Sequence, residues 1–295
     1  MRVSVNSHKL ALALVLVSLV LLNGCANLAA VRTFADDTKK LSAAFDPMLA
    51  GASASCTEKY IRKKLITSTH FDPAAVEEAA AELCGPIEAD NQVVAQLNLL
   101  LEQYADTLAA LADDKLPSYK AEFDGLTTSL GKVRKAGSQE SLVSPDKLGA
   151  VGALSEFLSR IATQHLQKEA IRDLLNHEAA IQTVTNALKE YATLNYRAWL
   201  RDERRENEAL YRSLDRSNET LAANYLKTVL LNENRKIAER EKTIDGFVTA
   251  VDQFQKANAE IRRKFEHQDD KELIAELASF AKEVSRLRQQ IHGAF

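Results

Sequence analysis

Histidine and acidic side chains at helical spacing are the first residues to test for catalytic or metal-binding chemistry. His177-Glu178 begins like the zinc-protease sequence HExxH, but position 181 is isoleucine, so the second histidine ligand is missing. His165 and Glu169 would share a helix face, where they form either a solvated pair or part of a metal site. No histidine follows a glutamate by three residues, the spacing that a di-iron bundle uses. We predict no catalytic residue, no metal and no cofactor.

The densest charged segment, residues 197–206, surrounds the single tryptophan of the chain. Guanidinium groups beside an indole can bind a lipid headgroup, a glycan or a protein partner. The acids at positions 202, 203, 206 and 208 favour the alternative, a solvated helix face with local ion pairs and the tryptophan in the core. The candidate interaction residues are Arg197, Trp199, Arg201, Arg204 and Arg205.

His177 also falls on the apolar seam formed by Leu174, Ile181 and Val184. A polar residue in such a seam can fix the register between helices, mark a helix turn or respond to pH. We interpret His177 as a candidate polar seam residue, and register or a helix turn is the favoured role.

The first 25 residues have the parts of an export signal. Arg2, His8 and Lys9 precede an apolar stretch, residues 10–22, which is shorter than the roughly 20 residues that a spanning helix needs. The sequence Leu22-Asn23-Gly24-Cys25 then resembles the lipobox of bacterial lipoproteins, with an aliphatic residue three places before the cysteine and a small residue directly before it. Asn23 departs from the usual Ala, Ser, Thr or Val.

The lipoprotein resemblance implies a mature chain that begins at Cys25, with a diacylglyceryl group on its sulfur and an acyl group such as palmitate on its amino terminus. Two or more acyl chains would anchor the protein durably to a membrane. Ala26 after the cysteine, rather than aspartate, implies sorting to the outer membrane. We therefore expect a cell-envelope protein that is lipid-anchored and faces the periplasm or the cell surface.

The lipobox also accounts for the odd number of cysteines, three in all. If Cys25 carries lipid, Cys56 and Cys84 remain as a pair in an oxidising compartment, where a disulfide is favoured. Two unconnected buried thiols are the alternative. Metal binding is disfavoured, because neither cysteine has a CxxC partner or a histidine at ligand spacing.

Composition indicates a helical protein with a large core. The net charge of −3 becomes about −5 once residues 1–24 and their two cations are removed, which gives no electrostatic footprint for nucleic acid. The chain is 46% hydrophobic, and only 10 Gly and 5 Pro interrupt its 295 residues. No run of residues alternates with a period of two, so strands are not predicted.

Proline, glycine and capping residues predict the helix boundaries of the first third. Residues 27–49 read as an amphipathic helix interrupted at Asp46-Pro47, and residues 51–55 as a loop. Asp72-Pro73 has the cap and first-turn proline of a new helix, which should end at Cys84-Gly85 so that Pro86 opens the next. The implied disulfide would then clamp a small helical cap.

Further along, apolar residues recur at alternating spacings of three and four, as in a coiled coil. The first such seam is continued beyond Pro117, and we interpret this proline as a kink. Residues 135–144 read as a loop, and the next helix starts at Ser144-Pro145. The seam residues are Val94, Leu97, Leu101, Tyr104, Leu108 and Leu111.

Residues 153–245 contain neither Gly nor Pro. A single helix of this length would measure about 140 Å, so turns are expected at residues that tolerate caps and left-handed conformations. Later heptad series include Ile237, Ile244, Val251 and Asn258, and a final series starts at Leu273. The predicted turns are Asn176-His177, residues 215–218 and residues 232–234, with a further break at Asp269-Asp270.

These patterns predict an all-α protein, an elongated antiparallel bundle of long, coiled-coil-like helices with a small disulfide-clamped cap. The segments are the signal peptide 1–24, a short-helix region 25–85 and a long-helix bundle 86–295, the last two forming one domain. The leading functional hypothesis is a membrane-anchored, non-enzymatic interaction or scaffold module that binds an unknown envelope protein. The alternatives are a dimeric membrane-remodelling bundle resembling BAR domains, and a ligand-binding or metal-binding bundle.

Overall fold

The structure is a computed structural model that describes residues 28–119, 123–161, 167–265 and 270–295. Within these ranges the strand-like pairing is an isolated bridge between Arg134 and Ser141, and the predicted all-α class is confirmed. A π-helical segment, Tyr191–Tyr196, and a 3-10 turn, Leu214–Arg216, interrupt the α-helical chain. The helices are α1 (28–43), α2 (Asp46–Thr67), α3 (Pro73–Ala112), α4 (Leu126–Leu130), α5 (Pro145–Ile161), α6 (Gln167–Asn176), α7 (Glu178–Glu190), α8 (Arg197–Ser213), α9 (Thr220–Lys264) and α10 (Lys271–Ala294).

The longest helix, α9, organises the bundle. Its 45 residues span about 67 Å at 1.5 Å per residue. The rod formed by α7, the π-helical segment and α8 runs antiparallel to α9 along most of this length. Cross-helix ion pairs set that direction: Glu178–Arg262, Lys189–Asp252 and Arg204–Glu241.

Helix α10 folds back along α9, and the α1–α2 rod runs antiparallel to α3. The amide of Asn98 on α3 donates to the carbonyl of Ser42 at 3.0 Å and to Asp46 Oδ1 at 3.1 Å. Aromatic rings join α1 to α9 and α10. The ring centroid of Phe34 lies 5.4 Å from that of Phe254 and 5.7 Å from that of Phe280. Helices α1, α9 and α10 therefore share one core.

The predicted seams face this core. Every residue of the Val94–Leu111 series is buried, as are the later series on α9 and α10, apart from partly buried residues at their ends. A polar pair interrupts the α3–α9 contact, where the Tyr104 hydroxyl donates to Asn258 Oδ1 at 2.6 Å in a fully buried position. Such a pair favours a single register between the two helices.

The disulfide Cys56–Cys84 is confirmed, with the two Cα atoms 6.0 Å apart. The predicted helix end at Cys84-Gly85 is wrong, because α3 continues through Pro86 to Ala112. Proline inside a helix costs roughly 3 kcal/mol, yet the buried stripe of α3 continues on both sides of it, through Cys84 and Asn91. The disulfide therefore joins two long bundle helices near one end, and the clamped region is continuous with the bundle.

The loop predicted at residues 51–55 is also wrong, because these residues lie within α2. Gly51 is buried against the hydroxyl of Tyr196, and a Cβ atom at this position would collide with that hydroxyl. The glycine permits a close approach between α2 and the π-helical segment, so its role is packing and not chain reversal.

Among the turns predicted within residues 153–245, the segment that lacks Gly and Pro, those at His177 and at residues 215–218 are confirmed. The turn at residues 232–234 is wrong, since α9 is continuous there and Asn234 accepts a hydrogen bond from Asn207 Nδ2 at 3.0 Å. The helix predicted to continue through a kink at Pro117 is also wrong, because α3 ends at Ala112, before the proline. Asp72 and Asp270 cap α3 and α10 as predicted.

Replacing Cys56 and Cys84 together with serine should lower the free energy of unfolding by about 3 kcal/mol, since the disulfide closes a loop with a sequence separation of 28. Denaturant titration under oxidising conditions measures this loss, and hydrogen exchange should show the first turns of α3 opening most. Cys25→Ser is the matched control and should leave stability unchanged. A loss below about 1 kcal/mol would mean that packing alone holds α2 against α3.

Candidate functional site

The arginines predicted as an interaction cluster lie around α8, and several are paired with acids. Two of these ion pairs cross to α9 and one lies within α8, which supports the alternative of local pairing. Arg201 is exposed. The N–O distances are 2.5 Å for Arg197–Asp245, 2.7 Å for Arg204–Glu241 and 3.3 Å for Arg205–Asp202.

Trp199 is partly buried and packs against the core. The ammonium of Lys59 on α2 lies 5.2 Å from the centroid of its ring and 2.6 Å from Asp202 Oδ2. A cation above the indole and paired with a neighbouring acid connects α2 to α8. The tryptophan therefore has a packing role between two helices of the bundle.

His177 lies at the junction of α6 and α7, where a helix turn was the favoured interpretation. Its ring is half-buried, 4.6 Å from the ring of Phe157, and burial lowers its pKa. Its backbone amide donates to the carbonyl of Leu174 at 3.2 Å, which ends α6. His165, the other candidate histidine, lies outside the described residues, and Glu169 is exposed.

Cys25 and the signal segment likewise lie outside the described residues. Helix α1 follows them in the sequence, and its first described residue is Leu28. Arg32 Nε lies 2.5 Å from Asp113 Oδ1, just beyond the last residue of α3, and Phe34 contacts α9 and α10 near their connection. Helix α1 therefore begins toward the end of the bundle where α9 ends and α10 begins.

The core-facing stripe of α8 contains two polar residues that sequence analysis missed. Tyr196, Leu200, Glu203, Asn207 and Leu210 follow one another at spacings of four and three, and all are buried. Glu203 was interpreted as part of the solvated charge cluster. The regular spacing from Tyr196 to Leu210 was the signal that could have placed it in the core.

Glu203 is 1% exposed and lies among charges from three helices. Its Oε2 atom is 3.7 Å from Arg240 Nη1 on α9. Burial raises the pKa of Glu203, while the nearby Ser55 hydroxyl and the positive charges of Arg240 and Arg62 lower it, and the nearby Glu58 raises it. Arg62 also bonds to Glu58 one turn earlier on α2.

We call this group the Glu203 layer: Ser55, Arg62, Tyr196, Glu203, Asn207 and Arg240. Several of its atoms are buried without a hydrogen-bond partner, namely Ser55 Oγ, the Tyr196 hydroxyl, Glu203 Oε2, Asn207 Oδ1 and the Nε atoms of both arginines. Each such atom costs about 1–3 kcal/mol, so the layer is under-satisfied compared with the Tyr104–Asn258 pair. The Glu203 carboxylate lies near the guanidinium groups of Arg240 on α9 and Arg62 on α2, so the layer connects α8 with both of these helices.

The α8–α9 hairpin extends beyond the end of α10. Arg240 lies 5.8 Å from the ring centroid of Phe295, so α10 ends beside it, and α9 continues past that point for roughly 30 Å. We call residues 211–225, at the end of this hairpin, the distal tip. Leu221 is 86% and Tyr225 is 72% exposed, the highest values among the large hydrophobic side chains that the structure describes.

A groove of about 360 Å³ lies between residues 135–147 and α7. The π-helical segment holds its outer wall, because Asn195 accepts a hydrogen bond from the Ala136 amide at 3.2 Å and donates to the Arg134 carbonyl at 2.8 Å. Lys135 lies within the groove, 2.9 Å from Glu190 Oε2, and this carboxylate raises its pKa. The ammonium of Lys135 and the carboxylate of Glu190 are therefore already paired with each other.

No group of three or more potential metal-binding side chains occurs in the part of the chain that the structure describes. Across residues 28–119, 123–161, 167–265 and 270–295, no helix has both the length and the apolar character needed to span a bilayer. Comparisons with protein-family models, with curated proteins and with solved structures give no match to this chain.

Proposed function

We propose that this protein is a lipid-anchored cell-envelope lipoprotein whose bundle acts as a non-enzymatic scaffold or interaction module. The observation that carries the proposal is the position of α1, whose first described residue follows Cys25 by three positions and lies at one end of the bundle. A lipid on Cys25 would hold that end at the membrane. The distal tip lies at the opposite end of α9, about 67 Å away.

The charge distribution supports a scaffold over a membrane-remodelling bundle. A remodelling surface needs cations on one face that are available to lipid phosphates, whereas Arg197 and Arg204 are engaged by acids of α9. The polar layers also support a scaffold, because the Tyr104–Asn258 pair and the Glu203 layer fix the alignment of long helices. A bundle with one alignment keeps its two ends at a constant separation.

Cross-linking in intact cells tests this proposal. A photoreactive residue at Leu83, which is 60% exposed on α3, should capture the same envelope protein in replicate purifications from the full-length chain. Cys25→Ser is the matched control and should reduce that capture severalfold, because the unanchored chain loses its local concentration at the membrane. If no envelope protein is recovered reproducibly, or if capture is equal in the control, the scaffold proposal fails.

A further inference from the structure

The distal tip combines two exposed apolar side chains with cations at the convex end of a hairpin. Leu221 lies at the second position of α9, and Tyr225 follows one turn later on the same face. Arg212 and Arg216 are exposed on the adjoining end of α8 and the turn. Residues on the opposite side of α9, Ala223 and Leu230, are buried in the hairpin. The apolar pair therefore points away from the protein.

We propose that the distal tip is a second lipid-binding site, which inserts Leu221 and Tyr225 into the interface of an anionic bilayer. The two residues are separated by about 6 Å along α9, so both fit within the roughly 5–10 Å to which interfacial side chains penetrate. The apolar ring of Tyr225 and its polar hydroxyl match the change from acyl chain to headgroup.

Charge at the tip is complementary to acidic headgroups. The distal tip contains two cations, Arg212 and Arg216, and two acids, Asp215 and Glu219, whereas the chain as a whole has a net charge of −3. Lys227, just beyond the tip, engages Asp215 at 2.5 Å, which leaves two exposed arginines against the single exposed carboxylate of Glu219. Basic residues at a bilayer surface each contribute about 1 kcal/mol toward binding anionic lipid.

The size and shape of the tip favour lipid over a protein partner. Two side chains at a convex turn offer a few hundred Å² of apolar surface, below the roughly 800 Å² per partner that a stable protein interface buries. Lipid insertion needs no complementary shape, and its strength grows with each side chain buried. If the proposed anchor on Cys25 also holds, the bundle would bridge two lipid surfaces, one at each end.

Vesicle sedimentation tests the tip independently of the anchor. The mature chain with Cys25→Ser and an intact disulfide should bind vesicles of phosphatidylglycerol and phosphatidylethanolamine, and bind phosphatidylcholine vesicles more weakly. The double variant Leu221→Asp, Tyr225→Asp should lower the partition coefficient at least about tenfold. Ile274→Asp, at a 62% exposed site near the other end of α9, is the matched control and should bind as the parent does.

Circular dichroism and thermal unfolding should show that all three chains fold, since the substituted side chains are exposed. The proposal is overturned if the parent does not bind anionic vesicles or if the tip variant binds equally well. It is also overturned if light scattering shows that the tip mediates association between copies of the chain without binding vesicles. Because Cys25 is absent from this assay, either proposal can fail while the other holds.

Discussion

Replacing Glu203 with alanine should lower the free energy of unfolding by roughly 3–5 kcal/mol, because it removes the buried carboxylate opposite Arg240 and leaves the largely buried Arg62 with Glu58 as its acidic partner. Loss of one partner from a buried ion pair is costly since the remaining charge stays desolvated. Denaturant titration measures the effect, and hydrogen exchange should show α8 separating from α2 first.

Glu208→Ala is the matched control, since Glu208 is an exposed carboxylate on the same helix, and its effect should stay within about 0.5 kcal/mol. The double variant Glu203→Met, Arg240→Met should recover much of the lost stability, because well-packed apolar residues often replace a buried pair at little cost. A loss below about 1 kcal/mol for Glu203→Ala would show that the arginines find other partners.

The pH dependence of the Glu203→Gln chain gives an independent test of the same layer. The pKa of Glu203 in the folded protein is raised above its ordinary value of 4.5, so the folded state binds this proton more readily than the unfolded chain does. The parent protein should therefore gain stability relative to Glu203→Gln as the pH falls from neutral toward 4.5, and lose it as the pH rises through the folded-state pKa. A difference that does not change with pH would contradict the proposed burial of the carboxylate.

Replacing Cys25 with alanine is expected to remove nearly all of the protein from the membrane fraction or to leave it as an unprocessed precursor. The acceptor sulfur is required for diacylglyceryl transfer, and each buried methylene of the lipid contributes about 0.8 kcal/mol to anchoring. Mass spectrometry should show residues 1–24 retained, and labelling with radioactive palmitate should disappear. Globomycin should produce a precursor of the same length from the unsubstituted chain.

Cys84→Ser is the matched control for this experiment, because it removes a thiol that the structure places in the disulfide. The control chain should still be lipidated, processed and recovered with membranes, although its stability falls. Normal maturation of the Cys25→Ala chain would contradict the lipoprotein proposal. The position of α1 would then no longer support membrane attachment at that end of the bundle.

The helical class and the core-facing stripes followed from sequence because both depend on local spacing. Apolar residues three and four apart must share a helix face, so the seam from Val94 to Leu111 could be assigned before its partners were known. Capping is equally local, since the Asp72 side chain accepts from amides only two and three residues away. The disulfide could be inferred because assigning Cys25 to lipid left a single pairing.

The errors at Gly51 and Pro86 arose where a distant contact changes the meaning of a residue. Glycine usually permits a turn, yet Gly51 lies inside α2. Its lack of a side chain is needed there because the Tyr196 hydroxyl occupies the space that a Cβ atom would fill. Proline usually ends or opens a helix, yet α3 passes through Pro86 because its buried stripe continues on both sides. Tyr196 is far from Gly51 in sequence, and Tyr191, which donates to Asn91 on the buried stripe of α3, is far from Pro86, so local propensity could not identify these contacts.

The sequence by itself determined the helical class, the seams and the disulfide pair, and it supplied the expectation of a lipid on Cys25. Only the tertiary structure decided that the Glu203 carboxylate is buried between Arg62 and Arg240, that the acids of α9 engage Arg197 and Arg204, and that Leu221 and Tyr225 are exposed. Periodicity fixes which residues share a face of one helix. Periodicity does not fix which other helix packs against that face or how far the contact extends. Both depend on how α2, α8, α9 and α10 align along their lengths.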